Sequence, residues 1–247
     1  MIQQIKKDLQ KLASPKKAQI LQRFFKTGKG EYGEADVFLG VMVPDCRHVV
    51  RKYKDAYLSV ISSLLKSKIH EHRLVGVLIL VEQFNPPPPL RRAGKAGRES
   101  RTSEKVREKI FDFYLKNAKR INNWDLVDLS APVLGQYLLD KNTSVLVRLA
   151  KSKNLWERRI AIMFTFAFIR ENKFNETFKI AELLIQDKHD LIHKAVGWML
   201  REVGKQDLSS EEKFLKKHYK NMPRTMLRYA IEKFEEKKRK QYLNGLI

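Results

Sequence analysis

Apolar residues recur at spacings of three and four along almost the whole chain, which is the pattern of helices that bury one face. No run of alternating apolar and polar residues predicts a strand. The most apolar stretch, Leu74–Val81, is far shorter than the ~18 residues that a membrane-spanning helix needs. The pattern predicts helices over residues 2–12, 16–26, 45–53, 55–66, 70–84, 102–118, 124–139, 143–151, 156–170, 174–186, 190–204, 209–220 and 223–239.

Three of the predicted helices begin alike, with a basic pair that runs into an apolar stripe. Aligned on Arg73, Arg159 and Lys194, these beginnings are 159 − 73 = 86 and 194 − 159 = 35 residues apart. Since 86 is about twice 43, and HEAT-like repeats run about 40–47 residues, the spacing indicates a helical repeat. We therefore predict an all-α fold, an α-solenoid of stacked antiparallel helix pairs with a concave basic groove as its binding surface.

The segment 85–107 breaks this pattern. It holds four consecutive prolines, two glycines and seven basic residues against two acids. We predict one domain over 1–247 that carries 85–107 as a mobile basic loop. Solubility alone is one explanation of its charge; contact with phosphates is the other, through Arg91, Arg92, Lys95 and Arg98.

Composition narrows the class of partner. The 247 residues are 43% apolar, which excludes wholesale disorder, and their net charge of +22 favours nucleic acid or an anionic membrane surface. Cys46 is the single cysteine, so an internal disulfide and a zinc site built on paired cysteines are excluded. Residues 1–20 have no signal-peptide pattern, and we expect a reducing, cytoplasmic location.

Motifs for bound cofactors are missing. The sequence has no glycine-rich phosphate loop and no metal-binding histidine spacing, so we expect neither a cofactor nor a metal.

The first candidate for a functional site is the sequence Asn122-Asn123-Trp124-Asp125-Leu126-Val127-Asp128. Trp124 and Asp128 are four residues apart and share one helix face. Asp125 lies in the first turn, where a carboxylate interacts favourably with the helix dipole. A partly desolvated Asp128 beside an indole indicates a site; a salt bridge from Asp128 to an arginine such as Arg158 is the structural alternative, which the spacing leaves open.

Two further tryptophans stand beside arginines, in Trp156-Glu157-Arg158-Arg159 and Trp198-Met199-Leu200-Arg201. Tryptophan on a repeat helix is often core filler. An aromatic ring for a sugar or base next to an arginine for a phosphate is also what a nucleic-acid surface needs.

Together these blocks resemble the AlkD-type DNA alkylation repair glycosylases. The resemblance rests on Trp124-Asp125-x-Val127-Asp128, on Trp156-x-x-Arg159-x-Ala161-Ile162, on Lys194-Ala195-x-Gly197-Trp198-x-Leu200-Arg201-Glu202, and on two N-terminal blocks, Arg23-Phe24-Phe25-Lys26 and Phe38-Leu39-Gly40-Val41…Pro44. It covers roughly residues 5–235, without the basic loop.

The resemblance implies a HEAT-like solenoid that clasps duplex DNA and hydrolyses the N-glycosidic bond of cationic N3- and N7-alkylpurines. It implies that Asp128, Trp124 and Arg159 are the catalytic residues: Asp128 the catalytic aspartate, Trp124 the aromatic at the deoxyribose and Arg159 the catalytic-cleft arginine. Trp198 matches a second cleft tryptophan and Arg201 a backbone contact. Arg158, Lys194 and Phe24 complete the expected DNA-binding set. We expect a monomer whose partner is alkylated duplex DNA, with no membrane contact.

The chain departs from the family pattern at Phe24, where tyrosine is frequent, at Asn123, where a second tryptophan is common, and at Met42, which replaces a polar residue. Two other functions stay open at this point. One is a non-catalytic, structure-specific DNA-binding solenoid, against which the retained Trp124, Asp128 and Arg159 argue. The other is a protein scaffold, which the excess of positive charge disfavours.

Overall fold

The structure, a computed structural model, describes residues 1–85 and 96–247, without the side chains of 96–103. The chain divides into two compact units, Met1–Leu134 and Gly135–Ile247. No strand forms within these described ranges; a single parallel bridge joins Val37 to Ile69. Nor is any helix in the described part long and apolar enough to cross a membrane.

The first unit is built around its fifth helix. Its helices are α1 (Ile2–Lys11), α2 (Pro15–Phe24), α3 (Val43–Lys52), α4 (Leu58–Leu65), α5 (His70–Phe84), α6 (Ala96–Lys116), a 3₁₀ turn (Ala118–Arg120), α7 (Trp124–Asp128) and α8 (Ala131–Leu134). Helix α5 packs against α1, α3, α4, α6, α7 and α8. Every residue from His70 to Leu80 is therefore buried, including four that carry polar side chains.

The second unit is built around its longest helix. Its helices are α9 (Ser144–Ala150), α10 (Leu155–Phe164), α11 (Phe166–Arg170), α12 (Asn175–Leu184), α13 (Asp190–Gln206), α14 (Leu208–His218), α15 (Arg224–Ala230) and α16 (Glu236–Leu243), with 3₁₀ turns at Gly135–Leu138, Tyr219–Asn221 and Ile231–Lys233. Helices α10, α11, α12, α14 and α15 all pack on α13. A Cβ atom on Gly197 would lie 2.4 Å from the Met226 carbonyl oxygen, so glycine here lets α13 and α15 approach closely.

The packed helix pairs of the two units confirm the predicted all-α, HEAT-like solenoid class. Three predicted helices are wrong as single elements, because each is broken. The break after α7 occurs where Ser130 Oγ hydrogen-bonds to the Leu126 carbonyl at 2.6 Å, and the break after α10 where Thr165 Oγ1 hydrogen-bonds to the Ile162 carbonyl at 2.7 Å. Hydroxyls that bond back to a preceding carbonyl bend or end a helix. The predicted helix 223–239 is divided into α15, a 3₁₀ turn and α16.

The predicted loop 85–107 is shorter than the sequence suggested, because α6 begins at Ala96 and not at 102. Residues 96–107 are therefore helical backbone. The other part of the predicted loop, 86–95, lies outside the described residues.

A recurring turn before three helices corrects the alignment of the repeats by one residue. Ser67 Oγ accepts the amide N–H of Ile69, and the Ser67 carbonyl accepts a hydrogen bond from Arg73 at 2.9 Å. The same pair of contacts recurs at Ser152, whose Oγ accepts from Asn154 and whose carbonyl accepts from Arg158 at 3.1 Å. The equivalent of Arg73 is thus Arg158 and not Arg159, with a spacing of 158 − 73 = 85 residues.

A third copy of this turn stands at Asp187. Its carboxylate accepts the N–H of His189 at 2.9 Å, and its carbonyl contacts the ring of His193. The spacing of 193 − 158 = 35 residues matches the predicted second interval.

Candidate functional site

Helix α7 begins with a side-chain cap. Asn123 Oδ1 accepts the backbone N–H of Trp124 at 2.8 Å. The Asn123 side chain is completely buried, and its Nδ2 donates to Asp36 Oδ2 at 3.5 Å. Asparagine at this position, where the resembled family often has tryptophan, therefore has a structural reason: it starts α7 and ties it to the N-terminal region.

The indole of Trp124 is half-buried and held by aromatic rings. Phe25 stacks on it at a centroid distance of 5.0 Å, and Phe24, which is 60% exposed, meets it edge-on at 5.7 Å. The indole N–H donates to the hydroxyl of Tyr32 at 3.2 Å. The structure thus brings the predicted Phe24 and Trp124 together and adds Tyr32, which the sequence analysis did not single out.

Asp128 lies at the end of α7, one turn beyond Trp124, and its side chain is half-buried. A buried pair of hydroxyls lies close by, in which Tyr114 and Ser130 are 2.8 Å apart. Burial raises the pKa of Tyr114, and the negative charge of Asp128 raises it further. The aspartate therefore lies close to a buried, desolvated part of the first unit.

Asp125 is part of a buried ion cluster, which its place in the first helical turn did not reveal. His70 Nε2 donates to Asp125 Oδ2 at 2.8 Å, and His70 Nδ1 lies 3.6 Å from Asp36 Oδ2. Asp36 also lies 2.7 Å from Arg73 Nη2. We call Asp36, His70, Arg73 and Asp125 the buried ion cluster; it ties α5 and the chain around residue 36 to the first turn of α7.

The charge state of His70 follows from these partners. Burial by itself lowers the pKa of His70, but the charge and hydrogen bond of Asp125, together with Asp36, raise it to about 9. His70 is accordingly an imidazolium at neutral pH, placed between two carboxylates. The signal in the sequence was the spacing of His70 and Arg73, which puts both cations on one face at the start of α5.

In the second unit, Arg158 is held by protein groups. Its Nε and Nη2 donate to the two oxygens of Asp187, at 2.6 and 3.4 Å, and its Nη1 donates to two backbone carbonyls. These contacts account for Arg158 as a residue that fixes the turn before α10. The fork of Arg158 is therefore occupied by Asp187 in a two-bond pairing.

Arg159 is also buried, with 4% of its surface exposed, and donates to the carbonyl oxygen of Leu191. Trp156 is 6% exposed and packs in the core, which favours its interpretation as core filler. Arg159 lies in the second unit, whereas Trp124, Asp128 and Phe24 lie in the first.

Trp198 and its neighbours form an ionic network on α13. The half-buried indole of Trp198 donates to Glu202 Oε1 at 2.9 Å. Arg201 pairs with Glu232 and lies 3.6 Å from Glu202, while Lys194 pairs with Asp190 at 2.7 Å. The predicted DNA-contacting cations Arg201 and Lys194 therefore already have carboxylate partners within the unit.

Four predicted contacts from the basic loop are not described. Arg91, Arg92 and Lys95 lie outside the described residues, and Arg98 belongs to the part of α6 without described side chains. Met42 is 41% exposed and precedes α3. No group of three or more histidine, cysteine or acidic side chains that could hold a metal ion occurs among the described side chains, those of residues 1–85 and 104–247.

Comparisons with known proteins agree with this architecture. A family model described as "DNA alkylation repair enzyme" matches residues 5–234, which confirms the resemblance found in the sequence. A solved structure, a predicted DNA alkylation repair enzyme from Enterococcus faecalis, shares the fold with a TM-score of 0.68 at 15% identity, over 91% of this chain and 97% of its own. No curated protein matches the sequence. Because the family model spans nearly all of the sequence, the chain belongs to the family of DNA alkylation repair enzymes.

Proposed function

We propose that the protein is a DNA glycosylase that hydrolyses the N-glycosidic bond of cationic N3- and N7-alkylated purines in duplex DNA. The observation that carries the proposal is Asp128, a half-buried carboxylate one turn beyond Trp124 on a helix whose first turn is fixed by the buried ion cluster. Membership of a DNA alkylation repair family and a net charge of +22 support DNA as the substrate.

The reaction requires little of the protein beyond electrostatic stabilisation of the charge that develops on the sugar. A purine alkylated at N3 or N7 is a cation and leaves without help from a general acid. As the bond breaks, C1′ of the deoxyribose takes on oxocarbenium character, as in glycoside hydrolysis generally. The carboxylate of Asp128 faces that developing charge and orients the attacking water, so it stabilises the transition state more than the ground state.

The held indole of Trp124 complements the aspartate. Its π face attracts the cationic sugar, and the contacts with Phe25 and Tyr32 keep the ring from turning away. Arg159 and Trp198 are proposed to hold the flanking strand in a concave basic groove. In this proposal Lys194, Arg201 and the basic loop act through the DNA backbone, and Arg158 acts by fixing its turn.

The test is release of 7-methylguanine from a duplex that carries this base, with an undamaged duplex of the same sequence as control. The proposal predicts release of the free base at a rate that saturates with protein concentration. Binding to both duplexes without any release would instead identify a non-catalytic DNA-binding protein and overturn the proposal.

DNA binding has its own test in the dependence on salt. Six to ten phosphate contacts predict an affinity loss of ~10³–10⁵ between 50 and 200 mM salt. Affinity that does not change with salt would contradict nucleic acid as the partner.

A further inference from the structure

A cavity of about 230 Å³ opens in the first unit, and neither Phe24 nor Trp124 lines it. It lies between the turn at 34–36, the residues that follow α4, and the 3₁₀ turn Ala118–Arg120. Its lining is mainly cationic, with five basic side chains against the two carboxylates Glu34 and Asp36. The basic residues are Lys66, Lys68, Arg73, Lys119 and Arg120.

Four of these cations stand at the rim. Lys66, Lys68, Lys119 and Arg120 are exposed, and none forms an ion pair with another residue in the described part of the chain. They contrast with Lys194 and Arg201 of the second unit, which are paired with acids. Unpaired cations around a concavity concentrate anions there.

The inner wall of the cavity holds a buried arginine whose hydrogen-bonding capacity is not filled. Arg73 is 3% exposed, and its Nη1 donates to the Ser67 carbonyl. Its Nε has no hydrogen-bond acceptor, and its Nη2, although 2.7 Å from Asp36, makes no hydrogen bond of good geometry. The Nε/Nη2 edge is the part of a guanidinium that binds carboxylate or phosphate with two parallel bonds.

The equivalent arginine of the second unit shows what such an edge binds. In the corresponding turn, Arg158 uses Nε and Nη2 to hold both oxygens of Asp187. Asp36 cannot serve Arg73 in this way, because one of its oxygens is shared by Arg73, His70 and Asn123. The turn at Arg73 therefore holds a carboxylate at Nη2 only, whereas the turn at Arg158 holds one at both Nε and Nη2.

We propose that this cavity binds a phosphate group, with the unpaired Nε of Arg73 at its base and Lys119 and Arg120 at its rim. The two carboxylates do not close the site to an anion. Asp36 is neutralised by Arg73 and His70, and exposed Glu34 accepts the backbone N–H of Gly30. The phosphate comes either from a DNA strand, which rests on the proposed function, or from free phosphate.

Titration of inorganic phosphate, followed by ³¹P NMR at constant ionic strength, tests the site. The wild-type chain should show saturable binding, and Lys119→Gln/Arg120→Gln should weaken it at least about tenfold, because it removes two charge-assisted contacts. Lys213→Gln/Lys216→Gln, which removes two exposed cations of α14, is the matched control and should bind like wild type. Both substituted pairs are exposed, so a melting curve in chloride should show an intact fold. Equal binding by the two variants, or no saturable binding by wild type, overturns the proposal.

The dependence of duplex DNA affinity on salt identifies the source of the phosphate. If a DNA strand occupies the cavity, the slope of log K against log[salt] should fall by about one in Lys119→Gln/Arg120→Gln relative to the control pair. An unchanged slope with phosphate binding lost assigns the site to free phosphate. Failure of the wild type to release 7-methylguanine would overturn the glycosylase proposal without touching the phosphate titration, so the two failures are distinguishable.

Discussion

Each unit of the molecule carries a tryptophan with a carboxylate four residues later, and the two pairs differ in where the indole N–H goes. Trp198 donates to its own carboxylate, Glu202, which also accepts from Lys205 at 2.7 Å and lies 3.6 Å from Arg201. Trp124 donates instead to Tyr32, and not to Asp128. Glu202 thus accepts from donors of its own helix, whereas the indole of Trp124 donates to a residue outside α7.

The supports of the two pairs differ as well. The pair on α13 belongs to a long helix, so regular backbone hydrogen bonds hold it in place. The pair on α7 belongs to a five-residue helix, which is too short to be stable by itself. The buried ion cluster and the aromatic contacts of Trp124 provide that support from α5 and the N-terminal region. The Trp124–Asp128 pair is thus held by contacts from other parts of the first unit, whereas the Trp198–Glu202 pair is held by its own helix.

The largest loss of stability should come from breaking the buried ion cluster, which supports the Trp124–Asp128 pair. Asp125→Asn leaves the buried imidazolium of His70 without its nearest carboxylate and should lower the free energy of unfolding by about 3 kcal/mol. Glu202→Gln, the matched change in the second pair, should cost about 1 kcal/mol or less, since the pair lies in a network of partly exposed groups. Urea denaturation of the two variants measures both values; equal costs would refute the contrast between the supports.

A second effect is a loss of stability at alkaline pH. The pKa of His70 in the folded chain is about 9, above the unfolded value of about 6.5. Its stabilising contribution is therefore complete below pH ~6.5 and is lost as the pH rises through about 9, with a total of about 3 kcal/mol.

Urea denaturation at pH 6 and pH 9.5 checks this prediction, and His70→Gln should reduce the difference to the part that Glu211 contributes. Burial raises the pKa of Glu211 to about 9, so the contribution of Glu211 to the free energy of unfolding is also lost as the pH rises. This loss begins near pH ~4.5, the pKa of an unfolded glutamate. Glu211→Gln is therefore the control variant. A His70→Gln variant with the full wild-type dependence between pH 6 and 9.5 would rule out His70 as the source.

A smaller effect is expected on the rate of base release, which should differ between substitutions of Trp124 and Trp198. Trp124→Ala should slow single-turnover release of 7-methylguanine about tenfold, because it removes a π contact and not a charge. Trp198→Ala should chiefly weaken DNA binding and leave the rate at saturating protein within about threefold, the loss of a stacking platform. The measurement is the rate of base release against protein concentration, and the reverse order of the two variants would contradict the proposed roles.

Local parts of the fold were predictable from the sequence. The cap at Asn123, the start of α7 at Trp124 and the pairing of helices follow from residue types and spacings within a few turns. The break after α7 was missed, although Pro132 stands inside the predicted helix 124–139, because the apolar spacing continues across it. The serine hydroxyl that ends the helix has its effect only once the core fixes its rotamer.

The contacts that support the candidate site could not be predicted from the sequence. Asp36, His70 and Asp125 are 34 and 55 residues apart, and nothing in local spacing says that three such segments meet. The same holds for Tyr32, which reaches Trp124 from 92 residues away. Arg158 and Arg159 show the opposite limit: adjacent arginines look alike in sequence, and only their hydrogen bonds reveal that Arg158 is the repeat equivalent of Arg73.

The central claim is that Asp128 acts on the bond that breaks, and single-turnover release of 7-methylguanine by Asp128→Asn tests it most directly. Asp140→Asn is the matched control, because Asp140 is 92% exposed and only distantly paired with Lys173. Removal of one preorganised electrostatic partner costs ~10²–10³ in rate, and for a purine that leaves readily we expect about 100-fold. The account predicts this loss in a variant that keeps the wild-type melting temperature and DNA affinity. A folded Asp128→Asn variant that releases the base as fast as Asp140→Asn would contradict it.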